Sequence, residues 1–335
     1  MTLEKKINAF VTLGKRLQKL PEKDFLQLVD KARTENAWFT HASIKMAWDG
    51  IVKFLSESEL RQWTSTYTLK ENSSKTVAVV MAGNIPLVGF HDFLSVLISG
   101  HSVLVKLSSK DSILIQYLAN LLQEIEPYFA NKITFVERLA NFDAVIATGS
   151  DNSSRYFDYY FGKYPHIIRK NRTSCAVLRG DETEMELQKL GEDVFSYFGL
   201  GCRNVSKLFV PADYNFSPLL KNWEVFNEVG HHHKYSNNYD YQKSIMLINL
   251  VPFLDNGFVM LTANEKTVSP ISVVYYESYS DQKDLSEKLD SNKDKLQCVV
   301  GKIESATIPF GQAQSPHVWD YADQVDTLKF LDELN

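Results

Sequence analysis

The chain of 335 residues has no run of basic residues, no apolar stretch long enough to span a bilayer, and only three cysteines. Each scarcity excludes a class. With no basic cluster and a net charge of -5, a nucleic-acid-binding surface is not expected. Without a long apolar run, no integral membrane segment is expected. The opening Met1-Thr2-Leu3-Glu4-Lys5-Lys6 leads into an amphipathic helix with no apolar signal core, so the expected location is the cytoplasm. Cys175, Cys202 and Cys298 are an odd set without paired spacing, which fits reduced thiols and neither a disulfide framework nor a zinc site. No repeat or low-complexity linker interrupts the chain.

What is present suits a soluble α/β protein. The length fits two packed domains, and an apolar content of 44% is ample for their cores. Residues 1–70 read as helices rich in Lys, Glu and Leu. The character changes at Val77-Ala78-Val79-Val80, a continuous β-branched run of the kind buried on both faces of a sheet. Strands are expected at 77–80, 102–107, 133–136 and 143–147, alternating with helices at 87–99, 113–128 and 153–164. Pro86 suits a first helical position, and Ser109 is a plausible cap. A second series holds a strand at 175–178, a helix at 182–198 capped by Asp181, and strands at 206–210, 258–261, 271–276 and 297–300. This alternation indicates parallel sheets with ligands at the carboxyl ends of strands. The domains are expected as a helical segment 1–70, a cofactor-binding domain 71–173, a catalytic domain 174–312 and a return segment 313–335.

The most informative stretch is Gly199-Leu200-Gly201-Cys202-Arg203-Asn204, a glycine-flanked turn between an expected helix and strand. The glycines leave room beside the sulfur, and Arg203 and Lys207 put nearby positive charge that favours thiolate. A buried, inert cysteine fits this segment equally well by itself. Three more strand-end segments precede it in order: Gly83-Asn84-Ile85-Pro86, Gly100 to Lys106, and Ala147-Thr148-Gly149-Ser150. Alone, Asn84 reads as a turn residue, Lys106 as a solvated lysine, and Gly149-Ser150 falls short of a G-x-G-x-x-G fingerprint.

Together, the order and spacing of these segments resemble the aldehyde dehydrogenase superfamily, closest to its acyl-CoA (fatty acyl thioester) reductase branch. The resemblance spans roughly residues 75 to 330. It implies an aldehyde-dehydrogenase-like fold of two parallel-sheet α/β domains with an N-terminal helical segment. It also implies Cys202 as the nucleophile that accepts the acyl group, and Asn84 as the amide that forms an oxyanion hole with the Cys202 N–H. Lys106 would hold the adenosine ribose of a nicotinamide cofactor, and Gly149 and Ser150 would approach its pyrophosphate. Two departures sharpen this. The stretch where hydrolytic relatives carry a water-activating glutamate reads Ile167-Ile168-Arg169-Lys170-Asn171-Arg172, with no carboxylate. Ser109-Lys110 replaces an acidic ribose clamp, which favours the 2′-phosphate of NADPH. Glu265 stands one residue off the spacing of the family's nicotinamide-ribose glutamate.

The expectation is an NADPH-dependent reductase that converts an acyl-CoA, or an acyl-protein thioester, to aldehyde through an acyl-cysteine. An acyl carrier without hydride transfer and a non-catalytic scaffold are the alternatives; cofactor binding and consumption separate the three. The chain is shorter than typical relatives, so a homo-oligomer or an acyl-donor protein stays open as partner. His231-His232-His233, in a polar, aromatic segment over 227–245, reads as a surface cluster at CoA phosphates or the acyl entrance before a metal site; His91 and His101 read as structural, with His91 a minor acid/base candidate, and Tyr156 to Phe161 as helix packing before an acyl tunnel.

Overall fold

The computed structural model describes residues 1–69, 75–149, 151–304, 306 and 308–334. It divides into one unit of residues 1–171 and 316–335 and another of residues 172–315.

In the first unit, four amphipathic helices come first: α1 (Leu3–Gln18), α2 (Glu22–Glu35), α3 (His41–Phe54) and α4 (Glu57–Thr64). Thr2, Thr40 and Ser56 cap three of them, each side-chain oxygen accepting an N–H of the first turn. Then β1 (Thr76–Val80), α5 (Phe90–Ser99), β2 (Ser102–Lys106), α6 (Ile113–Ile125), β3 (Ile133–Phe135), β4 (Ala144–Thr148), α7 (Asp151–Phe161) and β5 (His166–Arg169) alternate. The strands form one sheet in the order β3-β2-β1-β4-β5, every pair parallel. The direction of strand addition reverses between β1 and β4, which makes their carboxyl ends the ligand-binding crevice of such a sheet.

The second unit contains β6 (Thr173–Val177), α8 (Glu184–Phe195), β7 (Val205–Pro211), α9 (Ser217–Trp223), α10 (His233–Ile248), β8 (Leu254–Asp255), β9 (Met260–Ala263), β10 (Val273–Tyr279), α11 (Gln282–Asn292) and β11 (Leu296–Gly301). Its sheet runs β11-β6-β7-β10-β9-β8, parallel except for the short edge strand β8. The chain then returns to the first unit and ends in α12 (Thr327–Asp332). There the helices α1–α4, the first sheet and the return segment share one core, with Phe10, Trp48, Trp63, Phe93, Val318 and Leu328 buried together.

Several local expectations need correction. The helix expected at 87–99 starts at Phe90, because Leu87 is left-handed (φ 59°) and Pro86 lies in the preceding turn. The helix expected at 182–198 is α8, capped by Thr183 and not Asp181. A reciprocal capping box with Glu186 wins, while Tyr197 and Phe198 are left-handed and end the helix early. Ser109 does not cap α6; the Glu35 carboxylate accepts the N–H groups of Ser112 and Ile113 instead. The polar segment 227–245 is mostly helix: α10 buries Tyr235 and Tyr239, and Tyr239 donates to the Asp255 carboxylate at 2.8 Å. On α7, Phe157 and Phe161 pack inward while Tyr156, Tyr159 and Tyr160 stay exposed, so only two of the five aromatic residues in that run are packing.

One ion pair ties the return segment down. Arg169, buried at the end of β5, donates to the Asp92 carboxylate of α5 and, at 2.9 Å, to the Thr327 hydroxyl of α12. His91 and His101 bond the carbonyls of Val318 (2.7 Å) and Leu331 (2.9 Å), as structural histidines do. Breaking a buried pair leaves a charge without its counter-ion, at about 3–5 kcal/mol. Asp92→Ala should therefore lose about that much stability in urea unfolding, while Asp92→Leu/Arg169→Met should recover most of it. Equal losses for single and double variants would contradict this account.

Candidate active site

The first unit brings several of the expected residues to one sheet edge. Val80, the last residue of β1, is in register with Lys106 on one side and Ala147 on the other. Lys106, the exposed Asn84 and Gly149 therefore emerge at neighbouring carboxyl ends. Ser109 and Lys110 are exposed in a tight turn closed by the bridge between Ser108 and Asp111. Gly83 is required there: a Cβ would stand 2.6 Å from the Ser108 Oγ and 3.1 Å from the Lys110 Cβ. Ser150 lies outside the described residues. A crevice at the strand-order reversal, a backbone stripped of Cβ, and two cations at its rim fit a dinucleotide cofactor.

Sequence reasoning missed what holds this edge. The Asp111 carboxylate accepts the N–H of left-handed Leu87 at 2.7 Å, and the Asn36 amide donates to the Gly83 carbonyl at 3.1 Å. Asp111 and Asn36 are both buried and stand 24 and 47 positions from Leu87 and Gly83, so no local motif announces either contact. Glu137, fully exposed beyond β3, approaches the Lys106 ammonium at 3.9 Å, an acid near the expected ribose lysine.

In the second unit, three left-handed residues, Tyr197 (φ 51°), Phe198 (φ 58°) and Gly199 (φ 77°), turn the chain out of α8. Non-glycine residues held this way cost on the order of 1 kcal/mol each and gather at functional sites. The chain then makes a four-residue turn, closed by the Asn204 N–H on the Gly201 carbonyl at 3.0 Å, with Cys202 at its second position. Ser174, fully buried on β6, donates its hydroxyl to the Cys202 carbonyl at 3.1 Å. Cys202 is half-buried, whereas Cys175 and Cys298 are buried, and burial pushes both their thiols up, that of Cys298 to about 11. Among the three, only Cys202 combines partial exposure with a turn.

Other expectations change. Lys207 does not offer free charge to Cys202: its buried ammonium pairs with Glu277 at 2.7 Å and donates to the Asn264 carbonyl. Glu265 is exposed in the loop between β9 and β10. His232 packs on Phe198, ring centroids 4.6 Å apart, and His231 bonds Glu228 at 3.1 Å. Among the described residues no group of three or more His, Cys, Asp and Glu could hold a metal ion, and no helix is long and apolar enough to cross a membrane. The stretch 167–172 carries β5 and its buried Arg169, and no carboxylate.

The sequence model of the family described as acyl-CoA reductase (LuxC) matches residues 41–217, more than half of the chain. The chain belongs to the acyl-CoA reductase (LuxC) family. It is an oxidoreductase that acts on acyl groups to give aldehyde. No curated protein matches it. Among solved structures it resembles aldehyde dehydrogenase 21 of Physcomitrella patens in complex with the reaction product succinate. There the TM-score is 0.72 at 11% identity, covering 100% of this chain and 84% of that one. A mutant of the P. syringae indole-3-acetaldehyde dehydrogenase AldA, in complex with NAD+ and IAA, gives 0.68 at 11%, covering 91% and 72%. An NADP-dependent enzyme of E. coli gives 0.66 at 12%, covering 91% and 74%. These likenesses establish an aldehyde-dehydrogenase-like fold.

Two buried carboxyls should make the stability of the reductase depend on pH. Desolvation, opposed by the Leu87 N–H and reinforced by Glu35, raises Asp111 to about 7. Desolvation, opposed by the N–H groups of Gly311 and Ala313, raises Asp193 to about 6. Unfolded aspartates ionise near ~4, so the folded state binds more protons from there up to about 7. Stability should accordingly fall as pH rises through that window and level off above it. Asp111→Asn keeps an acceptor for Leu87, so it should flatten the upper part of the slope and raise the urea midpoint at alkaline pH. An unchanged profile would rule out Asp111 as its source.

Proposed function

We propose that this reductase uses NADPH to reduce an acyl-CoA to its aldehyde, with Cys202 carrying the acyl group. The observation that supports this most is the Cys202 turn: a half-buried cysteine at the corner of a closed turn, with both other thiols buried. The Cys202 thiolate attacks the thioester carbonyl, CoA departs, and a new thioester stays on Cys202. Asn84, by resemblance, supplies an amide donor to the oxyanion; a preorganised donor of this kind is worth on the order of 3 kcal/mol. Lys106, Ser109, Lys110, Gly149, Ser150 and Glu265 are the proposed cofactor residues. NADPH, when bound, supplies the hydride that takes the acyl group to aldehyde level. Collapse of the resulting tetrahedral adduct frees Cys202. The absence of a carboxylate over 167–172, where Arg169 is instead buried against Asp92, leaves water without a base at that stretch and favours reduction over hydrolysis. An acyl-protein thioester is the alternative donor, and a soluble cytoplasmic enzyme, alone or as a homo-oligomer, fits the same reading.

Incubation with an acyl-CoA and no cofactor should place an acyl mass on the peptide containing Cys202, and Cys202→Ala should abolish both adduct and aldehyde. Free acid should be a minor product. An adduct on Cys175 or Cys298, or rapid release of free acid, would refute the mechanism.

Cofactor choice is a separate expectation. Ser109 and Lys110 favour a 2′-phosphate, whereas Glu137 beside Lys106 opposes one. NADPH should bind more tightly than NADH; Ser109→Glu should move the ratio toward NADH, and Glu137→Gln should move it further toward NADPH. Titrations showing equal affinities in the unmodified protein would count against this assignment.

A further inference from the structure

Asn204 is the second residue after the proposed nucleophile, and the structure puts every polar atom it has to use. It is 1% exposed. Its backbone N–H donates to the Gly201 carbonyl at 3.0 Å, and its carbonyl accepts from the Ser174 N–H at 3.1 Å and the Thr173 hydroxyl at 3.2 Å. Its side-chain oxygen accepts the Gly201 N–H at 2.8 Å. Its amide nitrogen shares two hydrogens among the carbonyls of Asp193 (3.1 Å), Val194 (3.3 Å) and Ser196 (2.8 Å). Those carbonyls belong to the last turn of α8 and the residue that caps it, where no intrahelical donor is left.

We infer that Asn204 is the positioning residue of the Cys202 turn, an inference that rests on Cys202 being the acyl acceptor. Gly201 has no side chain to anchor it, and Asn204 takes both of its backbone polar groups. The peptide between Gly201 and Cys202 is planar and trans, so fixing the Gly201 carbonyl toward Asn204 directs the Cys202 N–H away from the inside of the turn. The next peptide is fixed by Ser174 on the Cys202 carbonyl. Both peptide planes that flank the nucleophile are therefore set by buried partners, and with them the directions of the Cys202 side chain and N–H. The side chain in this place must accept from Gly201 and donate to the end of α8 at once, which an amide does at any pH. A carboxylate can accept but not donate, and a protonated carboxyl can do both.

That difference supplies the test. Wild type, Asn204→Asp and Asn204→Ala are compared below each variant's melting temperature, from pH 5 to 8.5. Two rates are followed by peptide mass spectrometry: acylation of Cys202 by an acyl-CoA, and its alkylation by iodoacetamide. Asn204→Ala should slow acylation on the order of 100-fold, with the KM for acyl-CoA little changed. Asn204→Asp should approach wild type at low pH and fall away as pH rises, because burial lifts the new carboxyl's pKa into the tested range. Rates for either folded variant within threefold of wild type at every pH would overturn the proposal. So would an Asn204→Asp deficit of constant size, which would make Asn204 a fold-stability residue only. If Asn204→Ala does not fold, Asn204→Asp carries the test. Should wild type take no acyl group at Cys202, the proposed function fails, while the alkylation comparison still decides the role of Asn204.

Discussion

Backbone groups in a turn that must stay open to substrate cannot be paired in a sheet or helix ladder, yet buried ones must be paired with something. Both turns of the candidate site meet this constraint with buried polar side chains. In the first unit, Asn36 holds the Gly83 carbonyl and Asp111 holds the Leu87 N–H. In the second, Asn204 holds Gly201 at both ends and Ser174 holds the Cys202 carbonyl. Left-handed residues accompany each turn, Leu87 in one and Tyr197 to Gly199 in the other. Such conformations persist only where neighbouring contacts over-determine them; Asp111 on the Leu87 N–H is one such contact, and Asn204 fixes the chain on either side of Tyr197 to Gly199.

The first unit extends this logic to its ends. α2 delivers Glu35 to the start of α6 and Asn36 to the turn after β1, so the N-terminal helices are part of what shapes the candidate cofactor edge. The return segment is tied in at several points. Arg169 reaches Thr327, His91 reaches Val318, Trp63 donates to the Tyr321 hydroxyl at 2.6 Å, and Tyr67 donates to Asp326. Residues far apart in sequence thus converge on one core.

Strand–helix alternation was legible in the sequence because apolar runs such as those that begin at Val77 and Ala144 are short and bounded by polar or turn residues, as strands inside a sheet are. The resemblance led to the acyl-CoA reductase family from the order of four strand-end segments. The boundaries that failed were those decided by distant partners: no local pattern announces that Asp111 will take the Leu87 N–H, or that Thr183 will outcompete Asp181 through Glu186. The segment 227–245 misled because its polar residues face outward while Tyr235 and Tyr239 alone supply the buried stripe. Asn204 was in plain view beside Cys202, but its value lies in reaching the end of α8, which sequence spacing does not reveal.

Lys207 shows how far charge placement can depart from sequence proximity. Five residues from Cys202, it suggested a source of positive potential for the thiolate. In the folded unit it lies fully buried on β7, where its stem is shielded and its ammonium is matched by Glu277. Burial lowers its pKa while Glu277 opposes that shift, so its charge serves the pair and not the nucleophile. Arg203 is the cation within the turn itself. On the proposed mechanism, Arg203 and the turn's own dipoles are left to favour the thiolate, so the orientation set by Asn204 and Ser174 bears on the chemistry as well as on the fold.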